Sequence, residues 1–277
     1  MCPRNSSEIM IDLHCHILPG LDDGAETIEE AMEMARVAER DGIKTIVATP
    51  HFFRGDVSSG DLGSIEEKRR ALNEVLQENE IHVEVKSGAE VHISHNLLDA
   101  VRNSRASLVL NGSSYMFIEF PRDHIFSGIK NLFFDLMSEG IIPIIAHPER
   151  NSVFRQNPGL LYDLVGVGAF AQANSGSFTG LYGSKTAEAV DRFLEWNLIH
   201  FIASDGHNPR SFPPLLSLAV ERAESVVGKE RALALVNNNP QAVLEDKELP
   251  KLFAPTDPRK LKKSLFIKLP RFLRRDR

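Results

Sequence analysis

Cysteine is scarce. Cys2 and Cys15 are the only two in 277 residues, too few for a disulfide framework and in keeping with a reducing compartment. Neither is followed, after five intervening residues, by the arginine that thiolate chemistry on phosphate esters requires, because Glu8 and Leu21 stand there. No apolar run approaches the roughly 18–20 residues that span a bilayer, and the opening MCPRNSSE lacks the apolar stretch of a secretory signal. A cytoplasmic address is therefore expected. Phosphate loops of the GxxxxGK[ST] or GxGxxG kind are absent, as is any fixed-length repeat, which weakens nucleotide-binding and solenoid readings. Positive charge is thin over most of the chain: the formal charge is −6, yet residues 255–277 carry nine Lys or Arg against Asp257 and Asp276. That tail is +7 and the remainder −13, so a basic nucleic-acid-binding face is not expected and no nucleic-acid partner is assigned.

What is present is a hydrophobic fraction of 42%, spread along the chain and sufficient for a sizeable core. Seven short β-type runs, at 9–13, 43–48, 82–87, 115–119, 141–146, 169–173 and 199–203, alternate with helical patterns. The helices are predicted at 27–40, 64–79, 94–102, 126–139, 160–165, 184–196 and 215–227, with short ones near 229–236 and 240–246. The first opens with Thr27-Ile28-Glu29-Glu30, a capping-box spacing, and Asp41-Gly42 stops it. Most of the β-type runs are continuously apolar, as buried parallel strands are, and strand–helix alternation implies right-handed crossovers. The expected fold is an α/β barrel, with an open doubly wound sheet as second choice. Residues 10–254 read as one domain, flanked by an extension at 1–9 and a basic amphipathic tail at 255–277.

The polar residues fall in a pattern. Nearly every predicted strand leads, on its carboxyl side, into a residue able to bind a metal. The first meets His14-Cys15-His16, the second Thr49-Pro50-His51, the third Gly88-Ala89-Glu90, and the fourth ends in Glu119. The fifth leads to His147-Pro148-Glu149-Arg150, the sixth to Asn174 and the seventh to Ser204-Asp205-Gly206-His207. In parallel α/β folds these ends form the reaction face, so the side chains are expected to converge. Alternation along a strand sends His14 and His16 to one side and Cys15 to the other, into the core. Mixed imidazole and carboxylate ligation suits Zn²⁺, Mn²⁺ or Fe in a catalytic rather than structural site. His82, His92, His95, His124 and His200 do not fall at strand ends and are taken as surface or packing residues, His92 in a loop.

The strings MIDLHCHILPGLDDG, ATPH, GAEVH, IEFP, IIAHPERN, QANSGSFTGLYG and ASDGHN, in that order, resemble the PHP (polymerase and histidinol phosphatase) superfamily. Within it the chain is similar to the bacterial tyrosine-protein phosphatases of capsule and exopolysaccharide operons, over about residues 10–245. The resemblance implies a distorted (β/α)₇ barrel with up to three divalent ions, Mn²⁺ first and Fe or Zn as alternatives. One ion would take His14, His16, Glu90 and Asp205; a second Glu90, Glu119 and His147; a third Asp23, His51 and His207. It implies Arg150 and an arginine after SDGHN, here Arg210, as phosphate binders, although Arg210 stands closer to His207 than in the family pattern. It also implies a partner: the phosphotyrosine tail of a cognate membrane-anchored tyrosine kinase.

The chemistry expected is in-line attack of a metal-activated water on phosphorus without a phosphoenzyme, with Asp205 or His207 relaying a proton to the leaving group. A recessed site lined by Phe52, Phe53, Phe178 or Tyr182 would favour phosphotyrosine, though these rings serve equally as packing. Residues 265–273 could meet a membrane surface weakly through alternating apolar and basic side chains, placing the protein peripherally at the inner membrane face. The competing readings are another phosphoesterase of the superfamily, such as a histidinol phosphatase, and a non-catalytic binding module on the same barrel.

Overall fold

Residues 9–53, 62–250 and 253–260 are described by the computed structural model, so residues 1–8 of the expected extension and 261–277 of the expected tail lie outside the described residues. Among the described residues nine strand segments, all paired in parallel, form β1 (Met10–Cys15), β2 (Ile43–Ala48), β3 (His51–Phe52), β4 (Glu84–Ser87), β5 (Glu90–His92), β6 (Tyr115–Glu119), β7 (Ile142–Ala146), β8 (Phe170–Asn174) and β9 (Phe201–Ala203). They are the seven predicted staves with two of them broken. Thr49 and Pro50 interrupt the second, where proline has no N–H to give the ladder. Gly88 and Ala89 interrupt the third; a Cβ on Gly88 would lie 2.8 Å from Val47 and 2.9 Å from Leu110, so only glycine passes. The hydrogen-bonded orders β1-β2-β4 and β3-β5-β6-β7-β8-β9 are consequently the two levels of one wall.

The wall closes at its carboxyl end, where the His16 N–H donates to Gly206 O and the Asp205 N–H to His14 O, both at 2.8 Å. At the opposite end β1 and β9 are held apart: the Ile11 N–H reaches Val236 O (2.8 Å) and the Ile202 N–H reaches Leu235 O (3.0 Å). A barrel zipped at one rim and wedged at the other is the distorted seven-stave α/β barrel expected. Its interior holds Leu13, Val47, Tyr115, Phe117, Ile144 and Phe201, whereas the larger core lies between strands and helices. No helix among the described residues is long and apolar enough to cross a membrane.

The surrounding helices include α1 (Ile28–Asp41), α2 (Leu62–Glu78), α3 (Leu97–Leu108), α4 (Ile129–Ser138), α5 (Ser152–Gln156), α6 (Pro158–Gly166), α7 (Ser175–Phe178), α8 (Ser184–Glu195), α9 (Ser217–Val227), α10 (Lys229–Ala234) and α11 (Asn238–Leu244). Thr27 caps α1 by accepting the Glu30 N–H at 3.2 Å, and Gly42 ends it at φ 96°. The helix predicted to stop at 102 runs on to Leu108 because Ser104, at φ −143°, kinks it without ending it. Two of the shortest helices, α5 and α7, are built on the reaction rim itself: each follows within two residues of a strand-end residue named above, Arg150 and Asn174.

Candidate metal centre

Strand β1 carries His14 and is followed at once by His16; β3 begins with His51, β5 with Glu90, and β6 ends in Glu119. His147 follows β7, and Asp205 and His207 follow β9, so six of the seven staves deliver eight of these side chains to one rim. Asp23 arrives from the loop before α1. His147 at φ 31° and Asp205 at φ 53° both occupy the left-handed region that L-residues avoid, which is local strain at two of the converging side chains.

The inner group is the tightest. His14 Nε2 lies 3.3 Å from His16 Nε2, and each lies 3.3–3.4 Å from Glu90 Oε2 and 3.4 Å from Asp205 Oδ1. Donors that share one ion at about 2.0–2.2 Å stand about 3.0–3.5 Å apart by simple tetrahedral or octahedral geometry. The spacing found is that of a cation cage. Glu90 Oε2 is buried and makes no well-formed hydrogen bond, although imidazole nitrogens of His51, His14 and His16 stand 3.0, 3.3 and 3.4 Å away. A buried carboxylate oxygen ringed by nitrogens and bonded by none is the signature of a shared cation. The donor set therefore fits divalent metal.

Two further groups adjoin it. His51, Glu90 and Glu119 converge, with His147 Nε2 2.8 Å from the other Glu90 oxygen. Asp23 Oδ1 lies 3.3 Å from His51 Nε2 and 3.5 Å from His207 Nε2, with His16 in the same group. All nine expected ligands are thus brought together. The grouping differs in detail from the expectation: His51 faces the second group as well as the third, and His16 the third as well as the first.

The electrostatics follow from the crowding. Burial alone would raise the Glu90 and Asp205 carboxyls, but the surrounding imidazoles, His14 foremost, hold both below the usual carboxylate range. Burial works against protonation of His14 and His16, and the neighbouring carboxylates overcome it and raise both. Protons and metal ions would compete for the same lone pairs.

Three residues that the sequence reading did not single out as ligand supports hold the ligands. Asp22 Oδ2 is 2.7 Å from His16 Nδ1 and also accepts the His51 N–H at 3.0 Å. Gln172 Oε1 is 3.2 Å from His14 Nδ1, and Asn174 Nδ2 donates to Asp205 Oδ2 at 2.6 Å. In each imidazole the supported Nδ1 leaves Nε2 to face the cage. The acidic doublet Asp22-Asp23 was a usable signal; the two amides, being uncharged, gave none.

Arg150 lies in the short 3₁₀ turn Pro148–Arg150, donates from Nη1 to Asp205 Oδ2 at 2.6 Å, and rests with Cζ 4.3 Å from the centre of the Tyr182 ring. It lines the cavity above the cluster together with Phe120, Arg122 and Asn151. Arg210 does not line that cavity. The Asn208 side chain accepts the N–H groups of Arg210, Ser211 and Phe212 (3.1, 2.6 and 3.2 Å), a tight turn that leaves Arg210 exposed on a neighbouring groove beside Glu26, Glu29, Glu30 and Glu33. Phe52 and Phe178 are packed in the core, and of the four rings considered for the pocket only Tyr182 meets Arg150. His92, expected in a loop, ends β5 instead and sits 3.1 Å from Glu119 Oε2. Cys15 is fully buried in the core.

The family model for capsular polysaccharide synthesis, CpsB/CapC, matches residues 10–245. The chain is 42% identical over 229 residues to the tyrosine-protein phosphatase YwqE of Bacillus subtilis (strain 168), covering 83% of this chain and 89% of YwqE. It superposes, at TM-score 0.84 and 39% identity, on a crystal structure from work on YwqE of Bacillus subtilis and CpsB of Streptococcus pneumoniae, there described as unique metal-dependent tyrosine phosphatases; 90% of this chain and 99% of that one are covered. A histidinol phosphate phosphatase from Lactococcus lactis, solved with zinc, L-histidinol and phosphate, aligns at TM-score 0.51 and 15% identity over 81% of this chain and 93% of that one, a likeness of fold alone.

Proposed function

Because the chain belongs to the CpsB/CapC family of capsular polysaccharide synthesis, we propose that it is a metal-dependent protein-tyrosine phosphatase whose centre is the His, Asp and Glu cluster at the barrel rim. The observation that carries the reading is the cage of His14, His16, Glu90 and Asp205 with a cation, Arg150, fixed at its edge. Divalent ions held there, Mn²⁺ first and up to three, supply a water acidic enough to yield hydroxide near neutral pH and positive charge to offset the phosphoryl oxygens. His14, His16, Glu90 and Asp205 would hold one; Glu90, through its other oxygen, with Glu119 and His147 a second; Asp23, His51 and His207 a third, each imidazole giving its one lone pair to one ion.

Arg150 binds the phosphoryl oxygens. Its Nη1 is committed to Asp205 and its plane is backed by Tyr182, so the remaining guanidinium donors are fixed before substrate arrives. Water attacks phosphorus, the phosphorus–phenolate bond breaks in line, and tyrosine and inorganic phosphate leave without a phosphoenzyme. Asp205 has both oxygens engaged, one toward the imidazoles and one toward Arg150 and Asn174, and His207 turns Nδ1 to the Asp205 carbonyl at 2.8 Å and Nε2 toward Asp23, so neither of the two residues expected to relay a proton presents a free donor and the phenolate takes its proton from water. Arg122, exposed beside the cavity, makes no ion pair among the described residues and meets the substrate outside the phosphoryl group.

The substrate we assign is the phosphotyrosine tail of a membrane-anchored tyrosine kinase, and the basic stretch 255–277 adds a weak contact with anionic lipid at the inner face of the membrane. The test is metal content paired with turnover of phosphotyrosine peptide, phosphoserine peptide and histidinol phosphate, before and after chelation. Loss of phosphotyrosine turnover on chelation and its return with Mn²⁺ are expected; preference for histidinol phosphate, or full activity without metal, would overturn the reading.

A further inference from the structure

Behind the cluster lies a chain of four side chains. His14 Nδ1 is 3.2 Å from Gln172 Oε1, Gln172 Nε2 is 2.9 Å from Asn174 Oδ1, and Asn174 Nδ2 is 2.6 Å from Asp205 Oδ2. Gln172 and Asn174 are buried neighbours on the same face of β8, two residues apart. Asp205 closes the chain on the side of Arg150, whose Nη1 shares the same Oδ2.

The polarity of this chain is fixed by its end. An ionised carboxylate only accepts, so Asn174 must present its NH₂ to Asp205 and its oxygen to Gln172. Gln172 must then donate to Asn174 and turn its own oxygen to His14, an orientation supported by the His147 N–H, which points at the same Oε1 at 3.4 Å. His14 is left one role: its Nδ1 carries the proton and its Nε2 lone pair faces Glu90 and Asp205.

The structure assigns Gln172 and Asn174 as positioning residues: through one polarised amide relay they set the tautomer of His14 for metal binding and aim Asp205, which in turn aims Arg150 at the phosphoryl group. The inference rests on the reading of the cluster as a metal centre. Its consequence is that affinity for metal and affinity for phosphate are tied together through two residues that touch neither.

The test uses the full-length protein, Zn²⁺ titrated in competition with a chromophoric chelator, and inorganic phosphate as a competitive inhibitor of the Mn²⁺-loaded enzyme. Gln172→Leu, which removes the acceptor for His14, is expected to weaken Zn²⁺ binding about 10–100-fold, the usual cost of losing such a support. Gln172→Glu keeps an acceptor for His14 Nδ1 but loses the donor to Asn174, so its Zn²⁺ affinity is expected to stay within about threefold of wild type while its phosphate inhibition constant rises as in Asn174→Ala. Asn174→Ala is expected to raise the phosphate inhibition constant about tenfold with Arg150 present and to add nothing in an Arg150→Ala background, a coupling of neighbours that act in series. Equal Zn²⁺ affinity in wild type and Gln172→Leu would overturn the inference. So would equal losses in Gln172→Leu and Gln172→Glu, or additive effects of Asn174→Ala and Arg150→Ala, because packing alone predicts both. A wild-type protein that binds no Zn²⁺ or Mn²⁺ would instead remove the metal-centre reading itself, and with it this inference; the two failures are distinguished by the wild-type titration.

Discussion

Replacing Arg150 by alanine separates what that side chain does for the reaction from what it does for the fold. Arg150 is tethered by a charge-assisted hydrogen bond of 2.6 Å to Asp205 and lies 4.3 Å above the Tyr182 ring, so its orientation costs nothing at the moment of reaction. A preorganised donor aimed at developing charge is worth about 10²–10³ in kcat, or about 2.7–4 kcal/mol. Arg150→Ala is expected to lower kcat for a phosphotyrosine peptide by that factor. Arg150→Lys, which restores charge without the planar fork, should recover about a tenth of the lost activity on the same scale. The structural cost is smaller. Asp205 retains the Asn174 amide on the same oxygen, so the substitution removes one charge-assisted hydrogen bond, worth about 1.5–3 kcal/mol at most, and leaves no bare carboxylate. The assay is steady-state turnover of a phosphotyrosine peptide by protein of verified metal content, alongside urea unfolding. An Arg150→Ala enzyme with kcat within threefold of wild type and unchanged metal content would refute the assignment of Arg150 to the transition state.

Arg122 is exposed and unpaired among the described residues, so its contact with a substrate carboxylate is worth about 0.2–1 kcal/mol. Arg122→Ala should raise KM up to about fivefold for a phosphotyrosine peptide with acidic flanking residues and leave phenyl phosphate unaffected; equal effects on both substrates would mean that it binds the phosphoryl group instead. Glu90 faces two of the three ligand groups with one oxygen and His147 with the other, so Glu90→Gln should remove at least one bound ion and most of the turnover; full metal content by elemental analysis would contradict that. His200, remote from the centre, accepts the Ala171 N–H at 3.1 Å, and burial, aided by Arg231, pushes its pKa down to about 3. A folded pKa below the unfolded one means the neutral imidazole costs nothing above about pH 6.5 and that stability is lost as pH falls from there toward 3. At pH 5 the loss is about 1.5 pH units, or about 2 kcal/mol. Urea unfolding should show that His200→Gln loses about 2 kcal/mol less than wild type between pH 7.5 and pH 5, and parallel losses would remove His200 as the cause.

The contrast between Arg210 and Arg122 shows where a sequence stops being legible. The ligands could be read because strand order dictates them: a residue at the carboxyl end of a parallel stave has one place to go, and His14, His51, Glu90, Glu119, His147 and Asp205 went there. Arg210 sits in a loop whose course is set by the Asn208 side chain capturing three backbone N–H groups, a local contest that spacing from His207 does not reveal. Arg122 follows β6 by three residues, just past the end that carries Glu119, and so reaches the cavity by the same rule that placed the ligands. The breaks at Pro50 and Gly88 were hidden because an apolar run does not say where its ladder is cut.

Gln172 and Asn174 escaped for a different reason. A search for titratable side chains at strand ends finds what carries charge, and an amide relay carries only direction. Yet the direction is what a cluster of this kind lacks by itself: with five imidazoles and four carboxylates within a few ångströms, many proton arrangements have similar energy, and only some leave the Nε2 of His14 free. A carboxylate at one end of two amides removes that choice, because each amide can then satisfy its neighbours in only one orientation. The same Asp205 oxygen that orders the relay also fixes Arg150, so the group that binds phosphate and the imidazole that binds metal take their orientation from one atom. Through that one atom a change in the orientation of Asp205 reaches the phosphate-binding arginine and, by way of the two amides, the metal-binding imidazole together.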